Sequence, residues 1–276
     1  MVERCFTNEH GGDGMKIMGI LNITPDSFSD GGKYEDIDLI VERAKQMVRD
    51  GADLIDVGGE STRPGAEPVP VAEELKRVIP VIERLAKEIS VPISIDTYKG
   101  EVAYQAVLAG ATFINDIGGA KFDKNMPEVM AKTKATVILM HNRSLLTLNT
   151  GKLTEYSDVV ATVKTELQES VDLALEAGVS PAKIIIDPGI GFAKTIQGNV
   201  ELLRCIEELH ALAYPILLGA SRKGTIGHLL GGLDVHNRVE GTMAITCFAA
   251  SKGVEIIRVH DVLENARAAK VMAALI

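Results

Sequence analysis

Asn22, Thr62, Arg63, Asp96, Asn115, Asp187, Lys223, Arg258 and His260 each stand at, or just past, the carboxyl end of a short apolar run. Asp96 closes PISIDT, Asn115 and Asp116 sit in FINDI, and Asp187 closes the strand part of KIIIDPG. A carboxylate accepts paired N–H donors, and an Asn both donates and accepts. A buried Asp can take a ring N–H and an exocyclic amine together, much as it takes the fork of a guanidinium. Three such groups in succession suit a planar heterocycle with an amidine- or guanidine-like edge, where one alone would read as the cap of the next helix. Lys223, in GASRKG, can bind an anion, hydrogen-bond a substrate carbonyl or form a Schiff base. Gly219 and Gly224 beside it allow close backbone approach. Arg258 and His260, two apart in IIRVHD, face one side of a strand and make a candidate anion clamp. Asn22 with Asp30 or Asp56 offers oxygens to Mg²⁺, with water and a substrate diphosphate filling the shell. The sequence has no HxH, HExxH or cysteine cluster, so zinc is not expected.

Residues this dispersed can meet only if the fold gathers them. Eight runs rich in Ile, Val and Leu read as strands buried on both faces: Lys16–Thr24, Leu54–Gly59, Pro92–Thr97, Phe113–Gly118, Thr136–His141, Lys183–Pro188, Pro215–Ala220 and Glu255–His260. Amphipathic helices alternate with them at Asp36–Asp50, Ala72–Ile89, Gly100–Ala109, Asn125–Lys134, Ser157–Ala177, Asn199–Leu212, Val235–Lys252 and Val262–Ala274. The phrases DGAD, AGAT and AGVS recur at helix ends, where Gly takes the left-handed conformation. This alternation predicts a single (β/α)8 TIM barrel, whose strand ends converge on one face. An open doubly wound sheet would carry a Gly-rich fingerprint after its first strand. ILNITP stands there instead. The segments Thr24–Tyr34 and Glu60–Pro70, rich in Gly, Pro and Ser, are expected to be long mobile loops after strands one and two. Met1–Gly14 reads as a disordered or start-site leader, leaving 15–276 as one domain.

The bulk properties narrow the class. The chain has 276 residues and 46% hydrophobic content, with no Trp. Its apolar runs are far shorter than the ~20 residues that span a bilayer, and no signal peptide opens it, so no membrane partner is expected. Cys5, Cys205 and Cys247 are an odd number without CxxC spacing, which fits a reducing cytoplasm. A net charge of −9 argues against nucleic acid as a partner and requires any anion site to be locally basic. Ile245, Phe248, Val271 and Leu275 on the last two helices are candidates for a homodimer face.

The chain resembles the dihydropteroate synthase family, the sulfonamide-inhibited enzymes of folate biosynthesis. The resemblance is carried by MGILNITPDSFSDGG (Met18–Gly32), GADLIDVGGESTRPGA (Gly51–Ala66), PISIDT with INDIGG, IIIDPGIGFAKT (Ile184–Thr195), GASRKG and IRVHDV, in family order from Lys16 to the end. It implies a transferase joining 6-hydroxymethyl-7,8-dihydropterin diphosphate to p-aminobenzoate, with release of diphosphate and with Mg²⁺ as cofactor. Asp96, Asn115, Asp187 and Lys223 would hold the pterin. Thr62, Arg258 and His260 would meet the diphosphate or the second substrate, and Asn22 the Mg²⁺. Phe28, Thr62, Arg63 and Pro64 would frame the p-aminobenzoate site. Asp30, Met140, Phe192 and Gly219 complete the implied binding set, and Asp96, Lys223, Arg258, His260 and Arg63 the catalytic one. The chain departs from the family after Met140, where HNRSLL and a longer loop follow, and at Gly224, where many members carry a polar residue. Homologous barrels are commonly dimers.

The implied chemistry agrees with the residues. Loss of diphosphate from a benzylic-like CH₂ leaves a cation delocalised into the pterin. Mg²⁺, Arg258 and His260 would stabilise the departing charge, and the acids beneath the ring would favour the cation. The loops would exclude water until the aniline attacks. Three other readings share parts of the pattern: a catalytically silent pterin-binding protein, a folate-to-corrinoid methyltransferase, and a Schiff-base aldolase acting through Lys223.

Overall fold

The computed structural model describes residues 14–23, 34–61, 67–144 and 156–276. The expected leader, and the central parts of the loops after strands one and two, lie outside them.

Eight short strands, β1 (Lys16–Asn22), β2 (Leu54–Gly58), β3 (Ile93–Asp96), β4 (Phe113–Asp116), β5 (Thr136–Met140), β6 (Ile184–Asp187), β7 (Leu217–Leu218) and β8 (Ile256–Val259), form one parallel sheet in the order 6-5-4-3-2-1-8-7. The Ile186–Ile216 bridge and the hydrogen bond from Ile186 N–H to Pro215 O (3.0 Å) join its two ends. The sheet is a closed barrel, as expected from the alternation. Strand seven is the exception in length. Of the expected Pro215–Ala220, two residues keep full ladder pairing.

The helices between them are α1 (Tyr34–Arg49), α2 (Val71–Glu88), α3 (Gly100–Ala109), α4 (Met126–Thr133), α5 (Val159–Glu176), α6 (Ile196–Arg204), α7 (Gly224–Leu229), α8 (Val239–Ser251) and α9 (Val262–Ala273). Gly51, Gly110 and Gly178 have φ of 104°, 122° and 101° at the ends of α1, α3 and α5, as the recurring phrases predict. The expected helix Asn199–Leu212 is two pieces. Its first begins earlier, because Thr195 caps it through Oγ1 to the Gly198 N–H at 3.0 Å. Cys205, at φ −108° and ψ 22°, then turns the chain into a 3₁₀ segment over Ile206–Leu212. Val235–Lys252 divides likewise, at Arg238. The short helix α7 was not expected, because its six residues are too few to show a period.

Strand periodicity sorts side chains into two cores. Met18, Leu54, Phe113, Ile138, Ile185, Leu217 and Ile256 fill the lumen. Their alternate neighbours, such as Ile55, Ile95, Ile114, Val137 and Ile186, face the helix ring. Burying each large aliphatic side chain stabilises by roughly 1.5–3 kcal/mol, and the apolar lumen plug leaves only its carboxyl-end layer for chemistry.

Candidate active site

Register places the next inward position of each strand in that layer. Asp56 lies opposite Ser94, Gly58 opposite Asp96, Asp96 opposite Asn115, and Met140 opposite Asp187. Asp56, Asp96, Asn115, Met140 and Asp187 are all buried, while Asn22 is exposed at the mouth. Asn115 and Asp116 show why period two matters. Asn115 points inward and donates from Nδ2 to Asp56 Oδ2 at 2.9 Å. Asp116 points outward and accepts the Gly118 and Ala120 N–H groups, both at 2.7 Å. Asp116 therefore holds the turn that follows β4, and Asn115 is left to the lumen.

Arg258 is the cation of this floor. Its Nε donates to Asp56 Oδ2 at 2.6 Å and its Nη2 to Asp96 Oδ2. The guanidinium pKa is pushed above its ordinary value by Asp56 and Asp96, against the opposing cost of burial. Asn22 with either Asp30 or Asp56 was the expected oxygen set for Mg²⁺, and Asp30 lies outside the described residues. The Oδ2 of Asp56 is taken by Arg258 and Asn115, its Oδ1 has no hydrogen-bond partner among the described residues, and the residue is fully buried. Arg258 lies between the Asp56 and Asp96 carboxylates, and its charge also reaches His260, whose pKa it helps to lower. A guanidinium in an apolar cavity must be paired, and the acids nearest it on strands β2 and β3 supply the pairing.

Burial pushes Asp96 up to about 7 although Arg258 opposes it, and Asp187 up to about 6 although the Gly189 N–H, 2.7 Å from Oδ1, opposes it. Burial and the Arg258 charge bring Lys223 down to about 8. Its Nζ lies 4.1 Å from the centre of the Phe192 ring, a cation–π contact. His260 is held down to about 3 by burial and by Arg258 and Arg222, so its imidazole is neutral. It pairs through Nδ1 with Ser221 Oγ at 3.0 Å. Asp261 stands at the start of α9 without a side-chain cap and grips Arg222 through both oxygens. That grip, with Arg238 Nη1 on Arg222 O at 2.9 Å, fixes the turn that presents Lys223.

Two glycines keep the layer open. A Cβ on Gly58 would meet Asn22 Oδ1 at 3.5 Å and Asp96 Oδ2 at 3.7 Å. One on Gly219 would meet Asp187 Oδ2 at 3.6 Å and Arg258 Cδ at 3.9 Å. The structure thus brings Asn22, Asp96, Asn115, Met140, Asp187, Phe192, Gly219, Lys223, Arg258 and His260 to the carboxyl end of one barrel. Phe28, Asp30, Thr62, Arg63 and Pro64 lie outside the described residues. Ser221 and Asp56, which organise the cations, were not singled out as such from sequence. The signal for Asp56 was its place two residues after the lumen-facing Leu54 on β2, and Ser221, beyond the end of β7, had none.

A barrel whose carboxyl face holds inward acids, an amide and two cations around a glycine-lined slot is that of an enzyme for a flat, amine-edged heterocycle. The family model for pterin binding enzymes matches residues 18–260. The chain is 52% identical over 260 residues to the dihydropteroate synthase of Bacillus subtilis, covering 94% of this chain and 88% of that one. It is 51% identical to that of Clostridium beijerinckii, covering 94% and 93%. Among solved structures it is similar to dihydropteroate synthase from Clostridium difficile determined in the presence of pteroic acid (TM-score 0.89, 48% identity, 96% and 97% covered). It is also similar to that from Xanthomonas albilineans in complex with 7,8-dihydropteroate (TM-score 0.85, 41% identity, 95% and 94% covered). The chain belongs to the pterin-binding enzymes and, among them, to the dihydropteroate synthase family.

Proposed function

We propose that the chain condenses 6-hydroxymethyl-7,8-dihydropterin diphosphate with p-aminobenzoate to 7,8-dihydropteroate and diphosphate. The observation that carries this is the cross-barrel set of Asp96, Asn115 and Asp187 in one buried layer, with Lys223 at its rim.

Asp96 and Asp187 accept the amine and ring N–H edge of the pterin, and Asn115 supplies a donor and an acceptor beside them. Lys223 donates to the pterin carbonyl or ring nitrogen. Pterin bound at Asp96 competes with Arg258 Nη2 for Oδ2 and frees one arm of the guanidinium for the diphosphate. His260, neutral in the free site, gains basicity when that anion arrives. The C–O bond to diphosphate breaks with its electron pair leaving on oxygen. The cation left on the CH₂ spreads into the pterin and is favoured by the acids beneath it. The aniline nitrogen then forms the C–N bond and gives up its proton to solvent or diphosphate, so no strong base is needed. The family resemblance assigns the aniline to Phe28, Thr62, Arg63 and Pro64, which lie outside the described residues, and a sulfonamide would compete there.

The residues fit Mg²⁺. Asn22 is exposed and carries a hard oxygen, and its Oδ1 and the Asp96 Oδ2 stand 3.5 and 3.7 Å from where a Cβ on Gly58 would lie. Among the described residues no three His, Cys, Asp or Glu side chains cluster to hold an ion by themselves, so Asn22 would hold it with diphosphate and water completing the shell. When bound, it would neutralise part of the leaving group's charge.

Among the described residues no helix is long and apolar enough to cross a membrane. The reading places the enzyme in the cytoplasm, as a homodimer through α8 and α9, where Phe248, Val271 and Leu275 are exposed. The testing experiment is diphosphate release from dihydropterin diphosphate and Mg²⁺, with and without p-aminobenzoate. Release that depends on p-aminobenzoate, with dihydropteroate formed, is expected. Pterin binding without such release would replace the synthase by a silent binder.

A further inference from the structure

The loop from β6 to α6 is built around a charge with no part in the chemistry above. Lys194 is buried. Its ammonium donates to Gly189 O at 2.9 Å and Phe192 O at 3.2 Å, and meets His141 Nδ1 at 2.9 Å and His141 O at 3.4 Å. An ammonium is donor only, so Nδ1 is the acceptor and the His141 proton sits on Nε2. From there it donates to Glu166 Oε2 at 2.9 Å, and Arg143 grips Glu166 from the other side. Burial holds His141 down to about 4, so its ring is neutral, and brings Lys194 down to about 7, so the four acceptors around it hold the ammonium form below that pH. One chain of contacts thus runs from the β6 loop, through the end of β5, to α5.

The loop needs such a tie. Gly189, Gly191 and Ala193 have φ of 67°, 83° and 47°, and Ala193 holds that conformation against its own Cβ. Gly189 passes so close to the β5 end that a Cβ would stand 2.0 Å from His141 O. The carbonyls of residues 141, 189 and 192 therefore converge, and their dipoles repel unless a cation sits among them. What the loop delivers lies in the site. The Gly189 N–H fixes Asp187 Oδ1, and the Phe192 ring lies against the Lys223 ammonium.

We propose that Lys194 is a positioning residue of the pterin diphosphate site. Its ammonium locks the β6 loop against His141 so that Asp187 and Phe192 face the substrate. This rests on the reading of the site given above, and the test separates the two. In Lys194→Met, dihydropterin diphosphate binding, followed by pterin fluorescence, should weaken tenfold or more. The KM for that substrate should rise in step, with kcat kept within threefold and the protein folded by circular dichroism. Unchanged affinity and KM would overturn the proposal. So would a fall in kcat alone that tracks a lost folded fraction, the mark of a merely structural lysine. If Lys194→Met does not fold, His141→Asn keeps the three carbonyl contacts but cuts the link to Glu166. It should weaken pterin binding about threefold, and unchanged binding would again overturn the idea. A wild-type protein that binds pterin but does not turn over would sink the synthase reading while leaving the Lys194 comparison intact.

Discussion

Asp96 and Arg258 are a pair with two duties, and that changes what their loss should do. Asp96 must be a carboxylate to accept the pterin edge, yet burial raises it to about 7 and Asp187 to about 6. Both acids are protonated at low pH, and releasing those protons costs binding free energy. Pterin affinity should therefore rise as pH increases from 5 and level off above about 7, read by fluorescence titration across the range. Asp96→Asn should weaken pterin binding by about 1.5–3 kcal/mol, the range for a hydrogen bond to a charged group, and should remove the upper limb of the profile. A full-strength upper limb in the variant would show that another group titrates. From sequence, Arg258→Ala should cost turnover more than pterin affinity. The structure adds a second loss. Without the guanidinium, Asp56 and Asp96 share a buried layer with no cation between them, and Asp96 is pushed further toward its acid form. Both kcat and pterin affinity should fall, and a variant whose pterin Kd matched wild type would contradict the pairing.

At the scale of elements, the strands set height and the loops set aim. The lumen plug fixes the floor. Ile138→Ala removes a fully buried side chain from it and should cost about 2–5 kcal/mol in denaturant unfolding. The β6 loop is less forgiving. Gly189→Ala would force a Cβ onto His141 O in a left-handed backbone. It should cost more than about 2 kcal/mol and displace Asp187 with it. A stable variant with normal pterin affinity would mean that the loop relaxes without moving the acid. At the other side of the mouth, Glu60 accepts the Val69 N–H and the Tyr98 hydroxyl, both at 3.0 Å, and pairs with Lys99. The two ends of the second loop are thereby tied at its base.

For the whole molecule, the Ile186–Ile216 bridge closes β6 on β7, while β8 pairs directly with β1 and β1 with β2. That pairing puts Arg258 within reach of Asp56, 202 residues away in sequence. The outer surface carries one further expectation. Phe248 on α8 and Val271 on α9 are 40% and 60% exposed, more apolar surface than an isolated barrel needs there. In Phe248→Asp the homodimer proposed above should sediment as a monomer while pterin binding stays intact. An unchanged sedimentation coefficient would move the interface elsewhere.

The order of strands and helices was legible in the sequence because a barrel strand buried on both faces is a continuous apolar run, and because helix ends carry their glycines. The residues that end those runs were legible for the same reason, and the family motifs named their chemistry. Short elements such as β7 and α7 were not, since two to six residues show no period. Nor was the pairing of Arg258 with Asp56 and Asp96, or the hub at Lys194. A sequence shows which side of a strand a residue takes and at what height. Which charge a buried cation finds across the lumen depends on closure and register, which bring together groups that no local pattern connects.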